Sequence, residues 1–457
     1  MENTLALMRD AALAERIPDA AVRRRRLDAL RNMVKKNRAE IARAIDTDFG
    51  GRPAHETEIL EIVPLLGAIR HARSHVARWM RDERRPPSLA FRGGRAWVRH
   101  EPLGVVGIVS PWNFPLYLCL GPLVDALAAG NRAMIKPSEL TPRFSELLEE
   151  LVRKTFESDE VAVIMGDVDV ARAFTALPFD HLVFTGSTTV GRHVMRAAAE
   201  NLTPVTLELG GKSPAIVTEG YSLHAAAQAI AQGKFLNAGQ ICIAPDYALV
   251  PAGQEEALAR AVLAAAEGSY PAASAARDYA SIITERHRSR LEDAVAEAEK
   301  AGARVLSAQG NWGGRMPPTV VIGAPEQGVL MTEEIFGPVL PIVPYRNLED
   351  ALTIVNRRDR PLALYAFAKD RKTQRRILDR VISGGVTLNG TIAHIAQENL
   401  PFGGVGASGM GAYHGRDGFR RLSHARSVFR PGPVDAFALL RPPFGRFAEF
   451  AIRTFGR

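Results

Sequence analysis

Two side chains in this sequence have the chemistry of a covalent catalyst. Cys242, in Gly239-Gln240-Ile241-Cys242-Ile243-Ala244-Pro245, offers a thiol that, ionised, attacks electrophilic carbon. Glu208, in Val205-Thr206-Leu207-Glu208-Leu209-Gly210-Gly211, offers a carboxylate that can take a proton as a general base. Each also has a plain structural reading. A thiol of this kind is usually a small buried apolar residue, and strand periodicity puts Thr206 and Glu208 together on a polar, solvated face. The other cysteine, Cys119, lies in Leu116-Tyr117-Leu118-Cys119-Leu120 and reads as core. A third feature is Thr185-Gly186-Ser187-Thr188, which follows the apolar run at 181–184 and leads into an amphipathic helix that runs to about Glu200. Strand, tight glycine turn and helix present free N–H groups to a phosphate. A carboxylate and a thiol in a chain with such a turn suggest thiol-based covalent catalysis beside a nucleotide.

Other motifs carry less. Gly404-Val405-Gly406-Ala407-Ser408-Gly409 satisfies a dinucleotide fingerprint by spacing, but no apolar strand leads into it and no amphipathic helix follows. Gly211-Lys212-Ser213 ends like a phosphate-binding loop, yet Thr206 stands where the first glycine is required. His71 and His75 are four apart on a helical pattern but lack the glutamate of a metalloprotease motif and a third ligand, so no metal site is expected. No serine-hydrolase elbow occurs.

The elements that must position these residues follow from pattern and composition. The 457 residues are 46% hydrophobic and 24% charged, an ordinary globular balance that excludes disordered, collagen-like and coiled-coil chains. Two cysteines build neither a disulfide framework nor a zinc site, and no secretory h-region opens the chain, so a cytoplasmic setting is expected. The formal charge of +8 is dispersed. Its densest runs, 23–26 and 81–85, lie in or beside helical patterns without interleaved aromatics and read as solvated faces, so no nucleic-acid partner is expected. Residues 103–130 are apolar enough to raise a membrane span, but Pro111, Asn113, Pro115, Pro122 and Asp125 make them buried core instead. Helical spacing covers 5–80 and an exposed strand fits 95–101. Strands at 105–109, 133–135, 161–165 and 181–184 then alternate with helices at 123–129 and 145–156. A second alternating series, from 205 to about 367, makes two α/β domains in series. The tail, 431–457, spaces Phe444, Phe447, Phe450 and Phe455 among Arg441, Arg446, Arg453 and Arg457. Packing on the protein itself is the expectation there, with a partner subunit or an anionic membrane surface as the alternatives.

The strings Ser110-Pro111-Trp112-Asn113-Phe114-Pro115, Lys136-Pro137-Ser138-Glu139, Phe184-Thr185-Gly186-Ser187, Leu207-Glu208-Leu209-Gly210-Gly211, Gly239-Gln240-Ile241-Cys242, Glu334-Ile335-Phe336-Gly337-Pro338 and Pro401-Phe402-Gly403-Gly404 together resemble the aldehyde dehydrogenase superfamily in content, order and spacing. Residues 394–415 are similar to its class 3 branch and, within that, to the coniferyl aldehyde dehydrogenases. The resemblance implies an α/β fold with a Rossmann-type NAD-binding domain (1–83 and 103–210), an α/β catalytic domain (211–420), oligomerisation strands (84–102 and 421–432) and a tail (433–457). It implies NAD-dependent oxidation of an aldehyde to the acid, with NADP left open by class 3 relatives, and a homodimer. Cys242 would be the nucleophile, Asn113 and the Cys242 N–H would hold the oxyanion, and Glu208 would activate the water that resolves the thioester. Trp112, Gly186 and Ser187, with Lys136 and Glu139, and Glu334 and Phe336, would surround the cofactor, Glu139 favouring free ribose hydroxyls. His394, Ile395 and Tyr117 are placed along the aldehyde tunnel. One departure is the absence of a second turn glycine between 166 and 184. The rival readings are a CoA-acylating dehydrogenase, in which a water-activating Glu208 is unnecessary, and a silent relative, for which nothing in folding requires Asn113, Glu208, Cys242 and Glu334 together.

Overall fold

The protein is described by a computed structural model that covers residues 1–271, 274–433 and 441–455. Its centre is a six-stranded sheet in which Val105–Val109, buried throughout, pairs in parallel with Arg132–Lys136 on one side and His181–Thr185 on the other. Val161–Val163 extends the first side, and Val205–Glu208 extends the second. The strand order therefore reverses beside Val109, and in open parallel sheets ligands bind at that point, outside the carboxyl ends of the strands. Ser110 to Asn113 and Gly186-Ser187 are the loops that leave the sheet there.

A second sheet of seven strands is parallel except for Arg304–Ser307. In order it runs Arg304–Ser307, Thr319–Ile322, Val339–Tyr345, Tyr247–Pro251, Pro214–Val217, Ala363–Phe367 and Gly385–Leu388. Strands buried on both faces read as continuous apolar runs, as Ala363–Phe367 does. A small antiparallel sheet joins Glu83–Arg85, Arg95–Pro102 and Ser423–Arg430, with Ala96 opposite Phe429 and Val98 opposite Ser427.

The helix expected over 123–129 is Pro115–Ala129, eight residues longer at its start. Proline is well suited to the first turn, where its missing N–H costs nothing. The next two N–H groups, of Leu116 and Tyr117, are accepted at 2.8 and 3.0 Å by Glu61, a cap supplied from distant sequence that no local signal announces. Every residue of this helix is buried, which agrees with reading 103–130 as core rather than span. Among the described residues no helix is long and apolar enough to cross a membrane.

Three further expectations are corrected. Arg23 and Arg26 are buried rather than solvated. Arg23 donates to Pro18 O and Ala128 O, both at 2.9 Å, and Arg26 pairs with Glu15 at 2.7 Å and Glu160 at 2.8 Å, so the run ties the first helices to the sheet. The segment expected to end the second unit returns to the first before 420. Gly409–Met410 pairs antiparallel with Leu207 and Glu208, and Gly415–Arg421 packs on the Pro115–Ala129 helix. In the tail, Arg446–Phe455 is a helix, but among its described side chains only that of Ala448 is buried. Phe444, Phe447 and Phe450 are 70, 52 and 62% exposed, because the small residue and not the rings falls on the contacting face. Residue 457 lies outside the described chain.

Candidate active site

Glu208 ends the Val205–Glu208 strand, and the solvated face expected of it does not exist. The strand is flanked by His181–Thr185 and Gly409–Met410, and Thr206 is fully buried against His181 and Arg421, 2.9 Å from each. Glu208 is 2% exposed, and neither carboxylate oxygen has a hydrogen-bond partner among the described residues. Burial pushes its acid well above the usual carboxylate range. The glycine-rich turn at 404–409, unsuited to a nucleotide, serves this strand. Leu209 N donates to Ser408 O at 3.1 Å, and a Cβ on Gly404 would collide with the Ser408 carbonyl.

Cys242 follows an arch made of Asn237, Ala238 and Gly239, all at positive φ (50, 50 and 76°). Burial, with Glu334 and Glu208 beyond it, pushes the thiol up, while the N–H groups of Cys242 and Ile243 oppose that rise. Cys119, by contrast, is fully buried within 2.7 Å of Ser110 Oγ, as its core reading requires.

Two cavities meet at this point. The larger, about 320 Å³, is lined by Phe114, Tyr117, Ile395, Phe402 and Tyr413, with Ile59, Leu60 and Pro64 toward the surface. The other, about 250 Å³, is lined by Trp112, Asn113, Gly186, Ser187, Glu334 and Phe336. Cys242 and Glu208 line both, as do Thr185, Leu118 and Leu209. The buried hydroxyls of Thr185 and Tyr413 are without partners among the described residues, so the junction holds four buried polar atoms that a bound molecule or water would have to satisfy.

The structure thus brings six of the expected site residues, Trp112, Asn113, Gly186, Ser187, Glu334 and Phe336, together with Cys242 and Glu208. Asn113 is buried, its amide donating to Gln240 O at 3.1 Å, one N–H of two. Ser187 caps the Thr188–Ala199 helix by accepting from Val190 N at 3.3 Å. Glu334 is fixed against Gly210, whose Cβ would fall on its carboxylate, and accepts from Gly211 N; burial raises its pKa to about 8. Lys212 pins the preceding backbone, donating to Leu330 O and Glu333 O at 2.8 Å and pairing with Asp246, which in turn accepts from Ile335 N at 3.0 Å. Lys136 and Glu139, 3.9 Å apart, line neither cavity but follow the neighbouring strand on the same carboxyl edge. His394 does not line the tunnel where Ile395 and Tyr117 do. Its Nδ1 lies 2.9 Å from Thr387 Oγ1 and its ring packs toward Phe402.

Sequence reasoning missed His287 and Arg290, on the Glu285–Lys300 helix. His287 packs edge-on to Trp112 at 5.3 Å, and Arg290 donates to Ile335 O. No local motif marks either. The cavity between the turn at Gly186-Ser187 and Glu334 fits a nicotinamide cofactor in its donor set: a helix N-terminus for a pyrophosphate and a carboxylate for ribose hydroxyls.

A Rossmann-like sheet with its crevice at the switch point, joined to a second α/β unit that delivers a thiol into that crevice, defines a dehydrogenase architecture. The model of the aldehyde dehydrogenase family matches residues 5–428, and the chain belongs to that family. It is accordingly an oxidoreductase acting on aldehydes, with a nicotinamide cofactor. It is 50% identical over 448 residues to the "Probable coniferyl aldehyde dehydrogenase" of Pseudomonas aeruginosa, covering 98% of this chain and 94% of that one. Among solved structures it is similar to AldH of Staphylococcus aureus in its substrate-bound state, with a TM-score of 0.93 and 35% identity over 100% of this chain and 99% of that one. It is also similar to a Mycobacterium tuberculosis aldehyde dehydrogenase complexed with NAD+, with a TM-score of 0.84 and 29% identity over 94% and 90% of the two chains.

Proposed function

We propose that the protein oxidises a bulky, largely apolar aldehyde, of the hydroxycinnamyl type, to its carboxylic acid through a thioester on Cys242. The observation that carries this reading is the placement of Cys242 and Glu208 at the junction of an aromatic cavity and a cavity with a cofactor's donor set. The Cys242 thiol gives up its proton to solvent, and the thiolate sulfur bonds to the aldehyde carbon as the carbonyl π bond opens onto oxygen. The resulting oxyanion is held by the backbone N–H of Cys242 and by the Asn113 amide, which retains one N–H beyond its bond to Gln240. The nicotinamide ring, when bound, supplies the acceptor for the hydride that leaves this carbon. Glu208, with no protein partner to satisfy it, takes a proton from the water that attacks the thioester, and the acid departs as the thiol re-forms. Trp112, Gly186, Ser187, Glu334 and Phe336 hold and orient the cofactor, with Lys136 and Glu139 toward its adenosine ribose. Glu139 favours NAD over a 2′-phosphorylated cofactor.

The substrate class rests on the lining, where Phe114, Tyr117, Phe402 and Tyr413 supply flat apolar surface. Among the described residues no strand pairs with the outer edge of the eight-residue Ser423–Arg430 strand, which suits pairing with a second copy in a homodimer. The test is mass spectrometry of the Glu208→Gln variant after mixing with coniferyl-type aldehyde and NAD. An acyl adduct on the Cys242 peptide is expected. An unmodified Cys242, with reduced cofactor nevertheless formed, would refute the covalent route.

A further inference from the structure

The arch that carries the nucleophile is strained and is held from a distant part of the chain. Asn237 and Ala238, both with side chains, sit at φ 50°, where L residues rarely rest unless their surroundings over-determine them. Gly239 continues the arch at φ 76°, and a Cβ there would collide with Gly337 O. The Asn237 N–H would be buried without a partner but for Glu56, on the short Ala54–Thr57 helix, whose Oε1 accepts it at 2.9 Å. The Asn237 side chain then donates to Asn113 O at 3.1 Å and to Gln240 O at 3.2 Å, and Gln240 O also receives the Asn113 amide. Gln240 is locked in turn by Asn237 O and Ser281 O, each at 2.9 Å, and by Ile283 N at 3.0 Å. The loop carrying Asn113 and the loop carrying Cys242 are thereby tied together, and among the described residues Glu56 is the carboxylate bonded directly to the arch.

We propose that Glu56 is a positioning residue for the nucleophile: through the Asn237 N–H it holds the left-handed arch that sets Cys242 against Asn113 and Glu208. Glu56 itself touches neither cavity. Its remaining oxygen is buried without a hydrogen-bond partner among the described residues, and the nearby Arg52 charge favours its ionised form. A nucleophile displaced by even an ångström loses rate steeply, whereas substrate affinity, set by the aromatic cavity, does not depend on the arch.

This inference rests on the aldehyde-oxidising reading for its kinetic arm but not for its chemical one. Glu56→Ala, Glu56→Gln and Glu56→Asp are compared with wild type by steady-state kinetics and by the rate of Cys242 alkylation with iodoacetamide, read by peptide mass spectrometry. In Glu56→Ala, kcat is expected to fall at least tenfold with KM for the aldehyde changed less than threefold, and Cys242 to alkylate at least threefold faster as it leaves its half-buried seat. Glu56→Gln, which keeps an acceptor at the same reach, is expected to restore both. A folded Glu56→Ala within twofold of wild type on both readouts overturns the proposal, as does a Glu56→Gln no better than Glu56→Ala. Should the alanine variant fail to fold, Glu56→Asp, one methylene short of the Asn237 N–H, is expected to show the same two changes, and wild-type behaviour there overturns the proposal. Wild type that oxidises no aldehyde while the alkylation contrast persists would remove the functional reading and leave the positioning role standing.

Discussion

Replacing Glu61 by alanine should be among the most damaging single changes outside the cavities. Glu61 and Arg52 form an ion pair at 2.6 Å in which both side chains are fully buried. Glu61 Oε1 takes the guanidinium, and Oε2 takes the N–H groups of Leu116 and Tyr117 at the start of the Pro115–Ala129 helix. Burial pushes this acid up, while Arg52 and the two N–H groups favour its charged form. Removing the carboxylate leaves a buried guanidinium that, among the described residues, keeps the Asn113 carbonyl at 3.4 Å, the rings of Phe49 and Phe114 at 5.1 and 5.2 Å and the more distant charge of Glu56. Breaking such a pair from one side costs about 3–5 kcal/mol, and orphaning buried N–H groups adds roughly 1–3 kcal/mol each. Set against a total stability of about 5–15 kcal/mol, the loss should approach unfolding. Urea titration followed by fluorescence, with wild type alongside, reads it directly. Glu61→Gln, which keeps one acceptor but no charge, should fall between the two. A loss in Glu61→Ala below about 1 kcal/mol would refute the claim that this pair anchors the helix and, through it, the Asn113 loop.

Glu208→Gln should lower steady-state turnover by about 10²–10⁴-fold while leaving a burst of reduced cofactor in stopped-flow absorbance, because hydrolysis and not oxidation loses its base. Since burial raises the Glu208 pKa, its basic form grows as pH rises, so wild-type turnover should climb with pH from the acid side and the Gln variant should lose that limb; matching profiles would contradict the assignment. Gly210→Ala places a methyl on the Glu334 carboxylate and should raise KM for the cofactor at least fivefold with little change in KM for the aldehyde, checked by varying each in turn. The same carboxyl position predicts stability linkage. With a folded pKa near 8 against an ordinary 4.5, Glu334 favours the folded state below pH 4.5 and loses that contribution as pH rises toward 8, so Glu334→Gln should gain stability relative to wild type across that window in paired urea titrations.

Much of this was legible in sequence because the signals are local. The buried strand Val105–Val109 and the turn at Gly186-Ser187 with its helix follow from short apolar runs and glycine turns, whereas the pairing of 95–102 with 423–430 was implied by the family resemblance. The site residues were legible one motif at a time, whereas their meeting was not: Glu208 and Cys242 arrive from different sheets, and their shared cavity wall is a tertiary fact. The errors have one physical cause, a partner remote in sequence. Arg23 and Arg26 look solvated until Ala128, Glu15 and Glu160 are beside them. Glu208 looks solvated until Gly409–Met410 covers its strand. The helix expected from 123 starts at Pro115, because Glu61 caps the turn that the proline begins. His287, Arg290 and Glu56 carry no local signature, since each acts only through what folding sets beside it.

The central claim is that Cys242 is the nucleophile of an aldehyde-oxidising site, and the most direct test is reduced-cofactor formation, followed by near-ultraviolet absorbance, with wild type and Cys242→Ala. NAD and then NADP are offered with a panel of aliphatic and hydroxycinnamyl aldehydes, without and with coenzyme A. The account predicts absorbance growth in wild type alone, without coenzyme A, fastest with the hydroxycinnamyl members. Growth in Cys242→Ala at the wild-type rate, or growth in wild type only once coenzyme A is added, would contradict it.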